Sequence, residues 1–68
     1  MKSISGKELA RVLERHGWKL ARVSGSHHIY TKAGRTERLS VPIHSNKSIK
    51  TGLLKHLLKQ AGLSEEDV

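Results

Sequence analysis

The stretch WKLARVSGSHHIYTKAGRTERLSVP, residues 18–42, decides the fold. Residues 18–23 alternate imperfectly between apolar and polar, and Ser24-Gly25-Ser26 supplies turn residues. His28 to Thr31 then resumes with the β-branched and aromatic side chains that suit a pleated strand. Lys32-Ala33-Gly34-Arg35 is a second turn centred on Gly34, and Arg38-Leu39-Ser40-Val41 alternates again until Pro42 ends regular pairing or marks an edge. Connections this short permit antiparallel pairing and leave no room for a parallel crossover, so the stretch predicts a three-stranded antiparallel meander.

Helical patterns flank it on both sides. Upstream, Ser5 with Glu8 three residues later forms a capping-box pattern, and Ile4 with Leu9 fits a hydrophobic staple. Leu9, Val12 and Leu13, with Ala10 beside them, make one apolar stripe, and Gly17 suits a left-handed cap, which predicts a helix over 6–16. Downstream, Ile49, Leu53, Leu54, Leu57, Leu58 and Ala61 recur at three- and four-residue intervals, predicting a helix over 50–61 capped by Gly62. Gly52 marks its first turn or a close backbone approach. The acidic end, residues 64–68, reads as a frayed tail. The expected fold is therefore α+β, in the order α-β-β-β-α, with two helices on one face of the sheet, as in double-stranded-RNA-binding domains.

A chain of 68 residues has room for one domain, taken here as 1–68, and excludes a multidomain enzyme. Thirteen Lys and Arg against six Asp and Glu leave a formal charge of +7, which points to a polyanion, with nucleic acid first. Cysteine is absent, so packing must supply the stability that disulfides or thiolate zinc sites would otherwise add. No signal peptide or membrane span is apparent, and the expected location is the cytoplasm.

Five histidines in so short a chain are the candidates for chemistry. Histidine changes charge near neutral pH and can move a proton without a metal or cofactor. On a basic surface that suits RNA cleavage, in which a base removes the 2′-hydroxyl proton and positive charge stabilises the phosphoryl transition state. Alternation puts His27 on one face with Ile29 and His28 on the other with Tyr30, without showing which is open; if Ile29 faces the core, His27 lies at the edge of the packed face. His44 is a possible second acid or base, whereas His16 and His56 read as surface residues near helix ends. Each of these is also readable as an ordinary structural or solvated histidine. No helical HxxxH spacing and no completing carboxylate suggest a metal site, so no cofactor is expected. Lys19, Arg22, Lys32, Arg35 and Arg38 in or beside the meander, with Lys47 and Lys50 beyond it, are candidate RNA contacts, or simply a solvated surface. Ser26 and Tyr30, flanking the histidine pair, complete that set. Trp18 is expected in the core, which has no Phe to fill it.

Gly25-Ser26-His27-His28-Ile29-Tyr30, then Val41-Pro42-Ile43-His44, Lys50-Thr51-Gly52-Leu53-Leu54 and Leu58-Lys59-Gln60-Ala61-Gly62-Leu63, in this order, resemble the HicA (YcfA-like) toxins of type II toxin-antitoxin systems. The resemblance covers nearly the whole chain. It implies a metal-independent mRNA interferase with a double-stranded-RNA-binding-domain-like fold, held inactive by a HicB antitoxin. The family's Gly-x-His pattern falls on Gly25-Ser26-His27, making His27 the implied catalytic residue and His28 its neighbour. Two other readings remain beside this one: a non-catalytic RNA- or DNA-binding module using the same sheet and charge, and an interaction domain whose sheet pairs with a protein.

Overall fold

The computed structural model describes residues 3–68. Helix α1 spans Gly6–Arg15, strands β1, β2 and β3 span Lys19–Ser24, His27–Thr31 and Leu39–Pro42, helix α2 spans Thr51–Ala61, and a short 3₁₀ turn covers Glu65–Asp67. The sheet is antiparallel throughout, in the order β1-β2-β3, so the α-β-β-β-α expectation holds. Element ends differ from the sequence reading by one residue, as fraying termini do.

Local chemistry accounts for each helix. At the start of α1 the Ser5 hydroxyl accepts from the Glu8 N–H at 3.2 Å, while the Glu8 carboxylate accepts from the Ser5 N–H at 3.2 Å. Two otherwise orphaned donors are thereby satisfied. Ile4 and Leu9 are both buried, completing the staple. Gly17 takes φ 91° just beyond α1, which lets the chain reverse and lets the Trp18 N–H bond the Leu13 carbonyl at 3.0 Å. The segments that lead into the two helices are clasped together where Ser5 bridges to Ser48 and the Ile49 N–H bonds the Ile4 carbonyl at 2.8 Å.

One face of the sheet carries the core. Tyr30, Leu39 and Val41 meet Leu9 and Leu13 of α1 and Leu54, Leu57, Leu58 and Ala61 of α2, with Trp18 and Ile49 filling the ends. Both helices therefore lie over the same side, concentrated on β3, and the other face is open. Strand β1 is the far edge and lies beyond their cover, leaving Leu20 and Val23 about half exposed. Pro42 sits at the end of the opposite edge strand, where its missing N–H costs no ladder bond, and the Ile43 N–H bonds the Ser26 carbonyl at 2.8 Å one residue later.

The segment expected to fray, 64–68, is structured. The Asp67 carboxylate accepts from the Ser64 N–H and hydroxyl across the 3₁₀ turn, and Leu63 and Val68, partly buried, pack against the core at either end of it. The Ser64 backbone N–H holds the Asp67 carboxyl below its ordinary value, at a distance of 2.8 Å.

Candidate active site

Two departures from regular strand geometry determine what the open face displays. The first is a two-residue hairpin at Gly25-Ser26, where Gly25 takes φ 58° and brings Ser24 opposite His27. Positive φ at the first central position is the backbone requirement of a II′ turn, and glycine meets it without steric cost. The second is a bulge in β1, between Leu20 opposite Tyr30 and Arg22 opposite Ile29. Residues two apart in a regular strand share a face, so Arg22 would otherwise follow Leu20 toward the helices. The extra residue, Ala21, turns Arg22 and Ser24 to the open side with Ile29 and His27.

The result is a shallow hollow of about 330 Å³ lined by Arg22, Ser24, His27, Ile29 and Arg38. His27 is exposed and its Nδ1 lies 3.1 Å from the Ser40 hydroxyl on β3. A hydroxyl can donate or accept, so the pair is compatible with either imidazole tautomer. With Nδ1–H donating to Ser40 Oγ, Nε2 carries the lone pair and is free to take a proton from a ligand on the open face. The two arginines put positive charge beside it. Five of the six carboxylates lie elsewhere, on α1 and in the C-terminal turn, and the sixth, Glu37, is engaged by Arg35 at 3.0 Å.

The remaining histidines occupy different settings. His28 stands opposite Val23 and Val41, on the helix side of the sheet, and is half-buried. Ile29 shares the open face with His27, so His27 does not sit at the edge of the packed side as it would had Ile29 faced the core. His44, in the loop after β3, has its Nε2 3.5 Å from the Ser26 hydroxyl, next in sequence to His27. His16 lies 4.0 Å from the Asp67 carboxylate, and His56 is exposed on α2.

The structure divides the expected RNA contacts. Lys19, opposite Thr31, joins Arg22 and Arg38 on the open face. Ser26, Lys47 and Lys50 gather with His44 at the corner between β3 and α2. Tyr30 is corrected to a core residue: it is 3% exposed between the sheet and the helices, and burial, with a smaller contribution from Glu14, pushes its hydroxyl pKa up. Arg35 is exposed but is held within the fold. Its guanidinium donates to the Gln60 carbonyl at 2.8 Å and to Glu37, and lies 5.8 Å from the Trp18 ring centre, clamping the β2–β3 loop to the end of α2. Lys32 lies along Gly17 at the end of α1, away from the hollow. Sequence reasoning missed Ser40, Ser24 and Ile29. Ser40 was recognisable only through the register of β2 on β3, which sets it diagonally across from His27.

Among the described residues no three His, Cys, Asp or Glu side chains gather as a cation site would require, and no helix is long and apolar enough to cross a membrane. Fold and site together define a small basic α+β domain that displays a histidine between arginines on an uncovered sheet. A family model described as the HicA toxin of bacterial toxin-antitoxin matches residues 6–63, most of the chain. The protein belongs to that family and is a toxin of a toxin-antitoxin system, which implies an antitoxin partner. No curated protein matches the chain.

Proposed function

We propose that the protein is an mRNA interferase, an endoribonuclease in which His27 is the general base. The observation that carries this reading is the His27 imidazole on the open face, with Nδ1 against Ser40 Oγ and with Arg22 and Arg38 lining the same hollow. His27 Nε2 takes the proton of a ribose 2′-hydroxyl, and the 2′-oxygen attacks the adjacent phosphorus. Charge that develops on the phosphoryl oxygens is met by the two guanidiniums, and the bond to the 5′-oxygen breaks to leave a 2′,3′-cyclic phosphate. His44, beside Ser26, is the candidate to return a proton to the departing 5′-oxygen. General-base chemistry contributes about 10²- to 10⁴-fold, and a donor aimed at developing charge about 10²- to 10³-fold. A modest rate is enough for a protein that inactivates messages one cut at a time.

The substrate follows from the charge. A face with three cations and no carboxylate attracts a phosphate backbone, and the need for a 2′-hydroxyl selects RNA over DNA. The antitoxin is proposed to be HicB, presenting acidic surface to this face and blocking His27, with both partners in the cytoplasm; complementary charge speeds such association.

The test is cleavage of a mixed-sequence single-stranded RNA in EDTA by the wild type, His27→Ala and His28→Ala, each checked for folding by circular dichroism. Activity lost with His27→Ala and kept with His28→Ala is expected. Salt-sensitive binding with intact RNA in every lane would replace the enzyme with a non-catalytic binding module.

A further inference from the structure

A second hollow, of about 260 Å³, lies past the end of β3, and the cleavage chemistry makes no use of its floor. Ile49 forms that floor, buried and pinned by its backbone bond to Ile4. Pro42 and Leu53 are the apolar walls, and His44, Lys47 and Lys50 stand on the rim. Leu53 is 40% exposed, although its neighbour Leu54 is buried and carries the packing stripe of α2. An exposed leucine beside two lysines on a concave surface is suited to a ligand that is itself half apolar and half anionic. A nucleotide has that character, with flat base faces and a charged phosphate. The hollow also adjoins the reactive histidine, since Pro42 pairs with His27 across the β2–β3 ladder.

We propose that this hollow holds one nucleoside-phosphate unit of a single-stranded RNA next to the bond under attack, with the base against Leu53 and Pro42 above Ile49, and the phosphate between Lys47 and Lys50. This deepens the ribonuclease reading and rests on RNA being the ligand of the open face. Its consequence is that base preference in cleavage is set by the corner between β3 and α2, while the sheet face supplies the chemistry. The cationic rim, which carries no carboxylate, favours an anionic occupant, and the pairing of its wall residue Pro42 with His27, where the RNA is attacked, favours a nucleotide over an acidic segment of the antitoxin.

The test uses the His27→Ala protein, so that RNA survives the measurement whether or not the wild type cleaves. Amide shifts are followed by NMR during titration with the four nucleoside 5′-monophosphates and with a mixed-sequence single-stranded RNA octamer. Leu53→Glu, Lys47→Ala and, as an equal loss of charge elsewhere, Lys59→Ala are added to that background. Leu53 is the third residue of α2, where a glutamate favours the helix, so Leu53→Glu should fold.

Shifts centred on residues 47–53 are expected, with Leu53→Glu weakening octamer binding at least about tenfold through repulsion of the phosphate. Lys47→Ala should lower the slope of log affinity against log salt by about 0.7, the value for one phosphate contact on a single strand, and Lys59→Ala should leave it unchanged. Octamer affinity indifferent to Leu53→Glu overturns the proposal. Loss of antitoxin binding by Leu53→Glu with nucleotide affinity intact also overturns it, assigning the hollow to the protein partner. A wild type that cleaves no RNA while these shifts and losses appear removes the histidine chemistry and leaves the nucleotide site standing.

Discussion

Replacing Ser40 with alanine isolates the contact on which the proposed role of His27 depends. The side chain is exposed and bonds only His27 among the described residues, so its loss should change stability by no more than about 0.5 kcal/mol. What disappears is the 3.1 Å contact to Nδ1. Without it, the ring is free to rotate and to place its proton on Nε2, the nitrogen that must accept from the ribose. A neutral hydrogen bond of this kind is worth about 0.5–1.5 kcal/mol net, and at 1.4 kcal/mol per decade this predicts a roughly 2- to 12-fold loss of activity. The loss should fall on kcat and leave KM nearly unchanged, because Ser40 orients a base and the arginines hold the RNA. Single-turnover cleavage of a short RNA measures the first quantity. Nitrogen-15 shifts of the His27 ring measure the tautomer, which a merely structural serine would not affect. Ser40→Thr keeps a hydroxyl, suits a strand, and should restore both. Wild-type turnover in Ser40→Ala, in a protein that His27→Ala inactivates, would refute the argument that Ser40 sets the ring.

Three further outcomes follow from the packing. Gly6→Ala should destabilise by about 1–3 kcal/mol in urea unfolding, because a Cβ there meets the Pro42 backbone carbonyl and the Ile43 side chain, and α1 would have to lift from the end of β3. Arg35→Ala should lower stability by roughly 1 kcal/mol through the lost bond to the Gln60 carbonyl, yet leave the salt dependence of RNA binding unchanged, whereas Arg22→Ala should do the reverse; salt titrations of both variants separate the roles. The Asp67 carboxyl is held below its ordinary value chiefly by the Ser64 N–H, so the carboxylate form favours the closed turn. That contribution is present above the ordinary carboxylate range and is lost as pH falls through and below it; the protection of the Asp67 and Val68 amides from hydrogen exchange, taken relative to the intrinsic rate at each pH, should fall there, and Asp67→Asn should remove the pH dependence.

Much of this was readable from the residues in order. The capping box at Ser5 and Glu8, the staple of Ile4 and Leu9, the stripe of Leu54, Leu57, Leu58 and Ala61 and the turns at Gly25 and Gly34 depend on neighbours within about four positions, where helical and strand periods act directly. His27 as the leading candidate came from a short motif, and the reading of Tyr30 and Arg35 as RNA contacts came from residue type alone. Type does not say which side of a sheet a residue faces. Tyr30 is amphipathic enough for either side, and only the two helices above it decide for the core. Arg35 carries the same charge as Arg22, and only the proximity of Gln60, twenty-five residues away, turns it into a clamp.

The linear sequence by itself determined the element order, the antiparallel meander, the single small core and the basic charge that a polyanion would meet, because each follows from local period, turn length or composition. Tertiary structure decided which face stayed open and what stands on it. The bulge at Ala21 reverses Arg22, the β2–β3 register delivers Ser40 to His27, and the packing of Leu63 and Val68 orders a tail of charged residues. All three depend on contacts between segments far apart in the chain, whose geometry is settled only when helices and sheet close on one another.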